Sequence, residues 1–319
     1  MKKGYRGLEK KSGLLEKLSV GGSLHEVIET VKQNNDYWLG IRDNQVMVYF
    51  MGGKILEISE GGALSFVPKY IKHYNGRIMN KSFSNIKEWL SYLCLLRTSI
   101  YAYQNTYKKT EKMVQQEFMH KNNQWSKSDW FLVDMEYAAC RCPCGRFDMI
   151  AISKKKTDGK HQIALIELKS GTHAFGGTKA KTGNYGSGIA GHIHNFYEFL
   201  FGGSAQQNIN RLAKEIALIL SNCKLLGLDY GGLQIDEAEI DTNPQNIKCI
   251  ILCSNIENNE EAVCQMKKYI FKSNGASKYC LENLWGGAFN QKMTKMNLFA
   301  SVVNKERTID SSTFKIIKR

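Results

Sequence analysis

Between Trp130 and Lys169 the chain carries three successive apolar runs, and this succession limits the fold more than any other feature. The runs are Trp130–Ala138, Arg146–Ser153 and Gln162–Lys169. Each is too short for an ordinary globular helix and the right length for a strand. Helical patterns follow. One covers about His192–Phe201. Another starts at Ser204, with Gln207 as its capping-box partner, an apolar stripe of Ile209, Leu212, Ile216 and Leu220, and Gly227 suited to its C-terminal cap. Ile247–Cys253 is apolar and short enough for a buried strand, and Glu260–Phe271 reads as a helix. A helix, three strands, further helices and another strand imply an α/β core with helices on both faces.

The N-terminal third reads as a smaller unit. Ser23-Leu24-His25-Glu26 fits a capping box opening a helix to about Gln33. Three short strands, Tyr37–Arg42, Gln45–Phe50 and Lys54–Ser59, then form a β-meander, with turns expected at Asp43-Asn44 and Gly52-Gly53. Helical spacing resumes from about Ser84 through Ile86, Leu90 and Leu93, and Thr110–Asn122 forms a further helix. The expected division is therefore residues 1–105 for recognition or homodimerisation and 106–319 for the larger domain.

Composition narrows the setting. No apolar run reaches the roughly 18 residues of a membrane span, and the start, Met1-Lys2-Lys3, shows no secretory pattern. Nine cysteines, an odd number, fit a reduced cytoplasmic location better than a disulfide framework. A net charge of +14 is compatible with a merely solvated basic surface, but it favours a polyanionic partner, DNA ahead of RNA.

The chemistry sits at the end of the third run. Side chains alternate along a strand, so Ile163, Leu165, Glu167 and Lys169 share one face. A carboxylate and an ammonium thus close an otherwise apolar strand, and Asp148 precedes the apolar Met149-Ile150-Ala151-Ile152 on the strand before it. Such charges are costly inside a sheet unless paired or bound to metal. One reading is a structural Glu167–Lys169 salt bridge with Asp148 as an edge charge. The other is a site in which two carboxylates offer hard oxygen ligands to Mg²⁺ or Mn²⁺, while Lys169 orients the attacking water or stabilises developing negative charge.

Gly145-Arg146-Phe147-Asp148, then eighteen residues, then Glu167-Leu168-Lys169 resembles the PD-(D/E)XK nuclease superfamily. The resemblance covers about Glu111 to Phe201, with Phe147 where the name-giving motif has proline. It implies a restriction-endonuclease-like core, a mixed central sheet flanked by helices, that hydrolyses phosphodiester bonds in DNA or RNA. By the same resemblance Asp148, Glu167 and Lys169 are catalytic, and Asp148, Glu167 and the Leu168 carbonyl hold the metal. It also implies a glutamate from a neighbouring element, for which Glu117, Glu111 and Glu136 are the candidates. A nuclease-like fold that grips nucleic acid without cutting it is the alternative, and a protein whose basic face is incidental is a third.

Weaker signals surround this core. Gly171 to Gly191 holds seven glycines, with Lys179 and Lys181 interleaved, and reads as a surface loop beside the site. Lys179, Lys181 and His192 are the candidate nucleic-acid contacts. The Gly186–Gly191 stretch matches a dinucleotide fingerprint in letters, but no strand immediately precedes it. His192 and His194, two residues apart, point to different faces and form no joint metal site. Cys140, Cys142 and Cys144 lack the spacing of a zinc knuckle, and Cys249 and Cys253 fall in an apolar strand, so buried free thiols are expected, with a structural metal as the other reading.

Overall fold

The computed structural model describes residues 6–9, 13–73, 82–107, 110–124, 128–139, 142, 144–176, 188–228, 233–270, 292, 295–303 and 309–317. The protein is mixed α/β, with two sheets and, among the described residues, seven α-helices. It divides into two compact units. The first comprises Met1–Gln124 and Glu215–Ile235, the second Trp125–Lys214 and Asp236–Arg319. The division therefore falls after Gln124 rather than near residue 105, and a later segment returns to the first unit. Hydrogen bonds from Leu8 N to Asn222 Oδ1 (2.7 Å) and from Asn222 Nδ2 to Leu8 O (3.1 Å) tie that segment to the N-terminus.

In the first unit, helices α1 (Gly13–Leu18) and α2 (His25–Lys32) precede a five-stranded antiparallel meander. Its strands are β1 (Tyr37–Arg42), β2 (Gln45–Phe50), β3 (Gly53–Ile58), β4 (Leu64–Ser65) and β5 (Ser82–Phe83), followed by α3 (Ile86–Tyr107) and α4 (Thr110–Gln124). The expected cap on α2 does not form: Leu24, not Ser23, holds the N-cap position and makes no side-chain cap bond. The β1–β2 turn is Asp43-Asn44 as expected, both at positive φ (52° and 56°), which suits a tight two-residue hairpin. The next turn sits one residue early, at Met51-Gly52, because Gly53 already belongs to β3. A Cβ at Gly53 would lie 2.7 Å from Ile100 Cγ2, so α3 crosses the strand where no side chain intervenes. Leu39, Ile41, Val46, Val48, Ile55, Trp89 and Ile100 form the heart of this core. A fully buried apolar side chain of this size contributes roughly 1.5–3 kcal/mol.

The second unit is built on a six-stranded mixed sheet, ordered β11-β10-β9-β8-β7-β6. Strands β6 (Trp130–Ala138), β7 (Arg146–Thr157) and β8 (Lys160–Ser170) run antiparallel in sequence. Helices α5 (Ile189–Phe201) and α6 (Ala205–Leu225), the latter belonging to the first unit from Glu215 on, then lead to β9 (Lys248–Ser254), which pairs parallel with β8. Helix α7 (Asn259–Ile270) leads to β10 (Asn297–Val302), parallel to β9, and β11 (Lys315–Ile316) closes the edge antiparallel. The last two strands had no signal in the sequence. Gly227, at φ +66° after α6, caps it as expected, with Leu228 N bonded to Cys223 O at 2.8 Å. No helix among the described residues is long and apolar enough to cross a membrane.

Candidate active site

The sheet of the second unit forks where the candidate residues lie. β7 and β8 pair as far as Met149 and Ile166. Beyond that level β7 keeps its other neighbour as far as Arg146↔Ala138, and β8 keeps β9 as far as Ser170↔Ser254. One residue past the last β7–β8 pair stand Asp148 and Glu167. Across the opening, Leu168 N donates to Asp148 Oδ2 at 2.8 Å, so a carboxylate replaces the backbone carbonyl that a continued ladder would supply. The N–H and C=O of one extended residue point to the same side, so the Leu168 carbonyl also faces β7.

Glu167 and Lys169 are 3% and 6% exposed, and Lys169 Nζ donates to Glu167 Oε1 at 2.6 Å. His192, in the first turn of α5, completes the group. Its Nε2 lies 3.0 Å from the same Oε1 and 3.2 Å from Lys169 Nζ. That nitrogen carries a proton when it bonds Glu167 and a lone pair when it accepts from Lys169, so only one of the two contacts is a hydrogen bond in a given state. Both contacts fall on Oε1, and among the described residues Oε2 of Glu167 has no bonded partner. Burial alone would raise the Glu167 carboxyl, but His192 and Lys169 outweigh it and hold the group at about 2. Glu167 is therefore an anion at neutral pH despite its burial.

The site thus gathers Asp148, Glu167, Leu168, Lys169 and His192. The Glu167–Lys169 ion pair is present, and Asp148 stands level with it on the neighbouring strand, bonded to Leu168 N. Glu136 stands at the level of Asp148 on β6, between the pairs Met135↔Met149 and Tyr137↔Phe147. Its φ of +52° is unusual for a non-glycine residue within a strand. Glu111 and Glu117 lie on α4 in the first unit, where Glu117 pairs with Lys121 at 2.7 Å. Lys179 and Lys181 lie outside the described residues, as does Cys140. Cys142 accepts a hydrogen bond from Asn208 Nδ2 at 3.6 Å, and Cys249 and Cys253 are buried free thiols. Lys315 pairs with Glu260 at 3.3 Å.

Among the described residues no three His, Cys, Asp or Glu side chains gather as a ready metal cluster. The donors present nonetheless suit a hard divalent cation that keeps much of its water: two carboxylates from adjacent strands, one with an unbonded oxygen. What the sequence did not assign is the partnership of His192 with both members of the Glu-x-Lys motif. Its only signal was a histidine in the first turn of the helix that follows the motif. No protein-family model, curated protein or solved structure matches the chain.

Proposed function

We propose that this protein is a metal-dependent nuclease of the PD-(D/E)XK kind, with a restriction-endonuclease-like core, hydrolysing phosphodiester bonds of DNA. The observation that carries the reading is the fork between β7 and β8, which brings Asp148 level with Glu167 while Lys169 and His192 crowd one oxygen of Glu167. An accidental salt bridge requires none of this. The net charge of +14 supports a polyanionic substrate.

Asp148 and Glu167 would hold Mg²⁺ or Mn²⁺, with the Leu168 carbonyl as a further ligand. When bound, such an ion neutralises charge on the scissile phosphate and acidifies a coordinated water. The chain's own groups do the rest. Glu167 is kept ionised by its contacts with His192 and Lys169, so it presents negative charge without waiting for a proton to leave. Lys169, buried and held by Glu167, is fixed where it can orient a water or stabilise charge on phosphate oxygens. His192 limits the positions open to Lys169. The N-terminus of α5 adds the positive end of a helix dipole beside the same cluster. The first unit would serve recognition or dimerisation.

The test is direct. Purified protein should cut DNA with Mg²⁺ or Mn²⁺ and lose the activity in EDTA. Equal cutting by Asp148→Asn and wild type would reject the assignment. A second reading, a nucleic-acid binder that no longer cuts, draws on the near-complete burial of Glu167 and Lys169. Tight, salt-sensitive binding without cleavage under any divalent metal would favour it.

A further inference from the structure

A cleft of about 400 Å³ lies within the first unit, between the start of β1, the end of α4 and the loop after α6. Its size falls in the range of about 300–1,000 Å³ usual for small-molecule sites. Its chemistry is uniform in kind. Carboxamides dominate the lining: Asn34, Asn35, Asn123 and Gln124. Asn35 and Gln124 are exposed and make no hydrogen bond among the described residues. Among the described residues no carboxylate lines the cleft, and the one ammonium, Lys32, is bonded to Glu29 at 2.9 Å. Tyr37, Val31 and Leu228 complete the lining with largely apolar surface.

His120 adds a second, independent observation. It lines the cleft from α4, its ring stands edge-on to Trp38 with centroids 5.6 Å apart, and its Nε2 is buried with no hydrogen-bond partner among the described residues. Burial pushes the imidazole down to about 4, against a small opposing pull from Asp36, so the ring is neutral at physiological pH. A buried, unsatisfied polar atom costs free energy and calls for a partner.

From this lining we infer that the cleft binds a nucleobase, with adenine preferred. Neutral carboxamides beside a neutral imidazole select a ligand that is uncharged and carries both donors and acceptors. The apolar walls select a flat one. Asn and Gln side chains pair in bidentate fashion with the N6 and N7 edge of adenine, which favours that base over the others. A phosphate group would find only an already engaged lysine. The inference stands apart from the nuclease reading, since it concerns groups of the first unit alone and needs neither metal nor cleavage.

Isothermal titration of the full chain, without divalent metal, tests it. The probes are adenosine, guanosine, cytidine and uridine, a short single strand of deoxyadenosine, and glucose as a polar non-aromatic control. Adenosine should bind most tightly of the nucleosides. Tighter binding of the single strand would identify a base presented by nucleic acid, and binding of adenosine alone would identify a free nucleoside; both uphold the site. The Asn35→Ala/Gln124→Ala variant replaces two exposed side chains and should fold normally, and it should weaken adenosine about tenfold or more. His120→Phe keeps an aromatic ring without the nitrogen and should weaken adenosine similarly. No heat from any nucleoside at millimolar concentration, binding of glucose in their place, or unchanged affinity in both variants would overturn it. Loss of cleavage in Asp148→Asn with adenosine binding intact would leave the two readings separately judged.

Discussion

Strands β8 and β9 run side by side, parallel and in register, yet they end in opposite chemistry. Glu167 stands beside Ile251, Leu168 beside Leu252 and Lys169 beside Cys253. The two strands are buried to the same degree and belong to the same sheet. At this level β9 is satisfied by apolar side chains and a thiol, so the sheet does not require charge there. On β8 a carboxylate and an ammonium are kept almost out of water, at a desolvation cost that apolar residues would avoid. The comparison teaches that packing does not require the charged pair, which stands where the sheet forks on the other side of β8.

The largest expected effect separates function from packing. Asp148→Asn keeps an oxygen that can accept from Leu168 N but removes the charge, and Lys169→Met keeps most of the side-chain bulk. Each should lower DNA cleavage by about 10²–10³-fold, measured as initial rates on a linear substrate. Rates within a few-fold of wild type would place Glu167 and Lys169 on the same structural footing as β9.

Stability sharpens the same contrast. Lys169→Ala leaves Glu167 buried with only His192 beside it, and should cost about 3–5 kcal/mol in chemical denaturation. Glu167→Leu/Lys169→Met makes β8 resemble β9. It should unfold within about 1 kcal/mol of wild type or prove more stable, while remaining inactive. A double variant as unstable as Lys169→Ala would show that the pair is there to hold the sheet.

The pH dependence is smaller and its sign is fixed. Glu167 is depressed from 4.5 to about 2 in the folded chain, so its stabilising contribution is complete above pH 4.5 and fades as pH falls toward 2. The urea midpoint should drop across that window, and Glu167→Gln should flatten the part due to this group. A midpoint that changes identically in both proteins would remove Glu167 from the acid response.

The least disruptive check concerns thiols. Burial pushes Cys253 up to about 12, against the opposing effect of Lys169, and raises Cys249 as well. Alkylation of the native protein at pH 8, mapped by mass spectrometry, should label exposed Cys94 and Cys264 and spare Cys249 and Cys253. Rapid labelling of Cys253 would mean that β9 is not closed to solvent at this level, and the apolar, packed character given to it would fail.

Much of this was readable in the chain itself. Alternation placed β6, β7 and β8 within a few residues, Asp43-Asn44 marked its hairpin, and the apolar stripe from Ile209 to Leu220 marked α6. These are local signals, set by the period of side-chain burial and by backbone preferences at turns. The spacing of Asp148, Glu167 and Lys169 was equally legible, because a charge inside an apolar run stands out without any knowledge of its neighbours. Tertiary structure alone decided the remainder. Pairing partners are chosen by surfaces far apart in sequence, so the edge position of β10 and β11 and the return of Glu215–Ile235 to the first unit were not assigned from the chain. The fork depends on where β7 stops pairing with β8, and the place of His192 depends on how α5 docks beside β8. Both are set by long-range packing, which a residue's own neighbours in the chain do not encode.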